Sequence, residues 1–276
     1  MTPHRMHRTT SADGTVIVGG VHGSGPPLVL VPGGPADGER GWLSLLPHLV
    51  DHVTCYTINT RGRGPSGDHP DHARERIVED IVAFVESIGD EVALFGHSAG
   101  GTHALEAAAH TASVSTLALY EPTLTDLGDE RLRARFRDAF VRVRRAVDAG
   151  RPEDAAWIFL DELAMVNDTE RALLEQVGAA QAMAPLVPVV LAEEAASGPP
   201  QLSDLSLLDR ITMPVVLLHG ARTDPFYTDV VGQLTMRLAD VRTSEIPDVG
   251  HLGPEIEPGP VAAELVRQLH AASQPA

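Results

Sequence analysis

The stretch Val92-Ala93-Leu94-Phe95-Gly96-His97-Ser98-Ala99-Gly100-Gly101 decides how the rest of this chain is read. An apolar run of strand length enters G-x-S-x-G and leaves into a small-residue segment of helical character. Such a strand, turn and helix pushes the serine hydroxyl out of the sheet, and glycines two places either side let the backbone bend tightly. Ser98 is therefore the candidate nucleophile. The plainer reading makes Ser98 the cap of a helix over Ala99 to His110, a role serine fills without any chemistry. Capping does not call for the flanking glycines. A base and an acid downstream, in the order Ser, Asp or Glu, His, separate the two readings.

Working outward, Asp13-Gly14 joins two short strands into an opening hairpin, and Leu28 to Val31 forms a third strand after Gly25-Pro26-Pro27. A helical segment near Arg40 to Leu49, a strand Val53 to Ile58, a helix Arg74 to Ile88 and, past the serine, a strand Val114 to Tyr120 follow. Apolar strands alternating with helices predict a mostly parallel sheet covered on both faces, with ligands at the carboxyl ends of the strands.

The alternation stops after Tyr120 and resumes at Met213-Pro214-Val215-Val216-Leu217-Leu218. The chain thus divides into an α/β core of residues 1–121 and 209–276 and a helical cap of residues 122–208, inserted after the sixth strand. Within the cap, Leu132, Phe136, Ala139, Phe140, Val143 and Val147 fall on one helical face. A second cap helix begins at Arg151-Pro152, a third is capped by Asp168, and a fourth covers Pro185 to Ala196. The arginines between Arg131 and Arg145 interleave with Asp129, Glu130 and Asp138, which reads as a solvated face.

Composition removes several function classes. The formal charge of −17 opposes nucleic acid and anionic membrane surfaces as partners. All 21 basic residues are arginine, so a Schiff-base lysine, a lysine-bearing phosphate loop and a pyridoxal site are excluded. The single cysteine, Cys55, cannot form an intramolecular disulfide and reads as a buried strand residue. Met1 to Thr10 lacks an apolar segment of signal-peptide length, and no run is long enough to span a bilayer, so the cytoplasm is the expected compartment. Despite 13 histidines, neither H-E-x-x-H nor a paired-cysteine spacing occurs, so no metal is expected. His48, His52, His69 and His72 read as surface residues near turns.

The acid and base are sought past later strands. The strand Val215 to Leu218 ends in His219-Gly220-Ala221-Arg222-Thr223-Asp224-Pro225, which puts Asp224 in the loop where an orienting acid belongs. The next strand-end loop carries Asp248-Val249-Gly250-His251-Leu252, and His251 is the candidate base. Asp229, Asp248 and Glu121 are rivals for the acid, Glu121 because it follows the strand ending at Tyr120.

Five pieces in order resemble the α/β-hydrolase family, in its lidded esterase-like and lactonase-like group: Val31-Pro32-Gly33-Gly34-Pro35, Asn59-Thr60-Arg61-Gly62-Arg63-Gly64-Pro65-Ser66, Gly96 to Gly101, Gly220 to Asp224, and Gly250-His251. Pro32 stands where a histidine often precedes the glycine, and Asn59 where an aspartate often opens the arginine-glycine turn. The resemblance implies a Ser98-His251-Asp224 triad and an oxyanion hole from the backbone N–H groups of Gly34 and Ala99. Arg61 and Asp80 are expected to be structural, and His97 to pack or hydrogen-bond beneath the elbow.

The expected activity is hydrolysis of an ester, thioester or lactone of a small, mostly apolar molecule, with no cofactor. Trp157, Phe159, Leu160, Met165 and Met183 are candidate pocket residues, although apolar residues at helical spacing more often form the core of a cap. Two alternatives stay open. The same triad supports carbon-carbon bond hydrolysis, lyase chemistry or cofactor-free oxidation, and the fold also serves non-catalytic small-molecule binding.

Overall fold

The computed structural model describes residues 5–272, so Met1 to His4 of the N-terminal stretch lie outside the described residues. Eight strands form one sheet in the order β1-β2-β4-β3-β5-β6-β7-β8. They are β1 (Arg5–Thr10), β2 (Val16–Gly23), β3 (Pro27–Val31), β4 (Thr54–Asn59), β5 (Val92–His97), β6 (Val114–Tyr120), β7 (Val215–Gly220) and β8 (Val241–Ile246). The hairpin β1-β2 and the pair β2-β4 are antiparallel, and every later pairing is parallel.

Between its half-exposed edge strands β1 and β8 the sheet is buried on both sides, as its apolar central strands require. Along β3, Leu28 and Leu30 face one core with Trp42, Cys55 and Leu265, while Val29 and Val31 face the other with Ile81, Phe84 and Ala104. The first core is covered by α1 (Leu46–Leu49) and, after α10 (Gly253–Ile256), by α11 (Pro258–Ala272). The second is covered by α2 (Arg74–Glu86), α3 (Ser98–Ala108) and α9 (Pro225–Arg237). Only Leu46–Leu49 of the segment near Arg40 to Leu49 is helical; turns occupy residues 38 to 45, where Gly38 packs against the backbone of Ile58 too closely to admit a Cβ.

Between β6 and β7 the chain forms the helical insertion: α4 (Glu130–Asp148), α5 (Pro152–Ile158) continuing into a π-helical turn Phe159–Leu163, α6 (Asp168–Gln176), α7 (Ala179–Met183) and α8 (Val187–Ser197). Helix α4 buries Phe136, Ala139, Phe140 and Val143 and turns its arginines outward, where Arg133 and Arg137 pair with Glu130. The cap of α6 is Asn167 rather than Asp168; its side chain accepts from Glu170 N–H while Glu170 accepts from the Asn167 N–H, a reciprocal capping box. Among the described residues no single helix is long and apolar enough to cross a membrane.

Candidate active site

The parallel register explains the juxtaposition at the sheet's carboxyl edge. Residues His97 of β5 and Tyr120 of β6 are partners, so the next residues, Ser98 and Glu121, leave the sheet side by side. Both do so in the left-handed region, with φ of 55° and 46°, a conformation that non-glycine residues adopt at a cost and that concentrates at functional sites. The strained residue of the elbow is thus the serine itself. The flanking glycines are needed for space: a Cβ on Gly100 would lie 2.2 Å from the Pro32 carbonyl, and one on Gly96 would lie 2.7 Å from the Gly100 carbonyl.

Ser98 does not cap its helix. The cap position of α3 falls to His97, which makes no side-chain capping bond. The Ser98 hydroxyl is 3.1 Å from Nε2 of His251 and 3.2 Å from the Thr123 hydroxyl. On the other side of the ring, Nδ1–H of His251 donates to Oε2 of Glu121 at 2.7 Å. That bond fixes the tautomer, leaving Nε2 with its lone pair toward the serine.

Asp224 takes no part in this chain of hydrogen bonds. It caps α9, accepting from the Phe226 N–H at 2.9 Å, and acts on His251 only as a nearby charge. The loop that carries it still serves the site, because Thr223 donates to Oε2 of Glu121 at 2.7 Å and the Gly220 N–H donates to Oε1 at 2.8 Å. The carboxylate that meets the His251 ring comes from the end of β6, one strand nearer the serine than β7, and a glutamate has the reach to do so from there. The rival Asp248 lies at the surface, paired with Arg222.

Burial sets the electrostatics. It holds the His251 ring well below its ordinary pKa, reinforced by the neighbouring His97. Burial also pushes the Glu121 carboxyl up, to about 7, against its hydrogen bonds to Gly220 and Thr223. His97 runs the other way: burial opposes its charge, but Glu255, 3.3 Å from Nδ1, together with Glu121 and the His251 carbonyl, outweighs burial and raises it. Its Nε2–H donates to the His251 carbonyl at 2.9 Å, which supports the loop from beneath the elbow. Tyr227 stacks on the His251 ring at 4.0 Å, and the Tyr120 hydroxyl donates to the Gly250 carbonyl at 2.6 Å.

The cap is clasped to the same loop. Each oxygen of buried Glu170 accepts a backbone N–H, one from Leu252 at 2.7 Å and one from Asn167 at 3.0 Å, and burial raises its carboxyl to about 7. Replacing Glu170 by Ala is expected to cost about 2 kcal/mol or more in urea unfolding, since two donors lose their acceptor. Turnover is expected to fall with it, because Leu252 adjoins His251.

Two cavities meet at Ser98. The larger, about 650 Å³, is bounded by Gly33, Gly34, His251, Phe159, Leu160 and Met183. The smaller, about 50 Å³, is bounded by Gly34, Ala99, Phe136, Phe140, Phe159 and His103. Gly34 and Ala99 therefore border the space in front of the serine hydroxyl. Of the expected pocket residues, Phe159, Leu160 and Met183 line a cavity. Trp157 instead lies under the Arg171 guanidinium, 3.7 Å from its ring centre, and Met165 is buried in the cap core. His72, read from sequence as a surface residue, is buried and lines the smaller cavity. Among the described residues, no group of three His, Cys, Asp or Glu side chains is placed to hold a metal ion.

A family model described as the alpha/beta hydrolase family matches residues 28–264. The chain belongs to the alpha/beta hydrolase family. Among solved structures this family member is similar to an alpha/beta hydrolase from Sphaerobacter thermophilus, at 27% identity and a TM-score of 0.80, over 95% of this chain and 100% of that one. A thermophilic esterase from Thermogutta terrifontis aligns with a TM-score of 0.77 at 22% identity, over 98% of this chain and 100% of that one. An esterase from a Rhodococcus species aligns with a TM-score of 0.78 at 21% identity, over 97% and 99%. At such identities the last two speak for the hydrolase fold alone. A search of curated proteins finds no match to the sequence.

Glu121 as the histidine's partner was present in the sequence only as one rival among three. Thr123, Thr223, Tyr227 and Glu170 had no signal there, because each is brought to the site by a loop or a cap helix whose path a single sequence does not give.

Proposed function

We propose that this chain is a serine hydrolase that cleaves a carboxylic ester, thioester or lactone of a small, mostly apolar molecule, using Ser98, His251 and Glu121. The observation that carries the proposal is the unbroken relay from Ser98 Oγ through His251 to Glu121, at 3.1 and 2.7 Å, opening onto the cavities under the cap.

In the first half-reaction Ser98 Oγ attacks the substrate carbonyl carbon and its proton passes to Nε2 of His251. The carbonyl oxygen becomes an oxyanion, held by the backbone N–H groups of Gly34 and Ala99. Glu121 holds the imidazole tautomer and stabilises the imidazolium. The bond to the leaving oxygen or sulfur then breaks as His251 returns its proton to that atom, leaving Ser98 acylated. Water repeats the sequence: it loses a proton to His251 as it attacks the acyl carbon, the bond to Ser98 breaks, and the proton goes back to Oγ. The carboxylic acid departs.

Neutral His251, held so by burial, suits it to the first proton transfer. An intact relay also weighs against the non-catalytic binding reading. The unpaired, buried Cys55 accords with a reducing compartment, which supports the cytoplasm as the place of action.

The deciding experiment is intact-mass detection of labelling by a fluorophosphonate, together with turnover of p-nitrophenyl acetate. One label per chain is expected, absent in Ser98→Ala and His251→Ala, with turnover in Ser98→Ala down by about 10⁶-fold. A folded wild-type chain that neither labels nor turns over would overturn the proposal in favour of ligand binding without chemistry.

A further inference from the structure

The two cavities at Ser98 differ about thirteenfold in volume, near 650 and 50 Å³, and differ in which part of the relay they touch. His251 lines only the larger. In the mechanism above, the leaving oxygen must sit within reach of His251 Nε2 to receive its proton, so the leaving group belongs on that side. The acyl substituent points away from it, toward the side bounded by Ala99, Gly34 and Thr123. That side is small. It is lined by Phe136 and Phe140 from α4, Phe159 from the π-helical turn, and His103 from α3. One water already needs about 10–15 Å³ of such space, so 50 Å³ accepts a tail of about two to four carbon atoms.

The opposite side is built for bulk. Leu43 and Val177, 71% and 76% exposed, stand at the border of the larger cavity, whose walls continue through Leu160, Leu174, Met183 and Leu186. Exposed apolar residues grouped at a cavity entrance mark a surface for an apolar ligand.

We propose, resting on the ester-hydrolase reading above, that this chain is selective for esters of short acids with bulky apolar alcohols, the acyl group seated in the small cavity against His103 and Phe140 and the alcohol in the large one. His103 is the specificity-determining residue best suited to test this. It makes no hydrogen bond or ion pair among the described residues, and burial pushes its pKa down to about 4, so it stands as a neutral wall whose removal breaks no bond.

The test measures kcat/KM on two ester series. With the alcohol held as 2-naphthol and the acid varied from acetate through butyrate to octanoate, the octanoate is expected to fall at least about 10²-fold below acetate or butyrate. With acetate held and the alcohol varied, 2-naphthyl and decyl esters are expected to exceed ethyl. In His103→Ala the loss on octanoate is expected to shrink at least tenfold, while Met183→Ala, on the far wall, moves only the alcohol series. Octanoate equal to or better than acetate, with Ser98 still labelled by fluorophosphonate, would overturn this division and leave the hydrolase reading standing. Labelling and turnover both absent would overturn the two together.

Discussion

Glu121→Gln is expected to lower kcat/KM on the best ester by about 10⁴-fold, whereas Asp224→Asn leaves it nearly unchanged. The first figure is the loss seen when the acid of such a triad becomes its amide and the histidine is held in the wrong tautomer. Here the geometry is explicit, because an amide nitrogen at Oε2 would face both His251 Nδ1–H and the Thr223 hydroxyl, two donors that now meet an acceptor. Asp224→Asn preserves the cap of α9, and Asp224→Ala is expected to cost about 1 kcal/mol of stability with turnover retained.

A pH profile separates a relay role from simple loss of structure. The buried pair works as ionised Glu121 with neutral His251, and burial raises the carboxyl to about 7. Lowering the pH through that value adds one proton to the pair, which then has no base to offer, so wild-type kcat/KM is expected to fall about tenfold per pH unit on the acid side. Removing the carboxylate charge makes an imidazolium at His251 still less favourable. The residual activity of Glu121→Gln is therefore expected to hold to lower pH than wild type. A profile unmoved by this substitution, with normal folding by circular dichroism, would remove Glu121 from the relay.

The contrast between Glu121 and Asp224 shows what a single sequence can and cannot give. The sheet was legible because it rests on local pattern, apolar runs alternating with helical spacing, and Ser98 stood out by the glycines two places either side of it. His251 was legible because chain order and strand ends place it. The carboxylate partner of His251 was not, since three strand-end loops offer a carboxylate and only the packing shows that Asp224 is spent on a helix cap and Asp248 on Arg222. The cap pocket was half legible for a similar reason. Phe159 and Trp157 both read as apolar cap residues, and it takes the fold to show one facing Ser98 and the other under Arg171. Asn59 carried a physical reason that appears only in three dimensions. Its side chain accepts from the Gly38 N–H at 2.8 Å and donates to the Val18 carbonyl at 3.1 Å, a pair of roles an ionised aspartate does not fill.

Arg61→Ala is expected to cost about 3–5 kcal/mol of stability, the largest effect of any substitution away from the relay. Its guanidinium is fully buried and meets Asp80 through Nε at 3.0 Å and Nη2 at 2.7 Å, and Asp13 through Nη1 at 2.7 Å. Asp80 is itself fully buried, so deleting the arginine strands a carboxylate in the core, where a lone charge is far costlier than the pair was worth. At Asp13, burial is outweighed by hydrogen bonds from Thr15 and Arg61, which hold the carboxyl well below the usual range. A depressed carboxyl stabilises the fold above its unfolded pKa and loses that contribution as the pH falls toward the folded value, so the gap between wild type and variant is expected to narrow only in strong acid. The same turn reaches the site. Two residues on, Arg63 donates to the Ala36 carbonyl and pairs with Glu193 of α8, both at 2.7 Å, joining the Gly34 loop to the cap. Loss of Arg61 is therefore expected to lower fluorophosphonate labelling below the unfolding midpoint, before the sheet melts, and simultaneous loss of labelling and circular dichroism would show that the turn holds only the core.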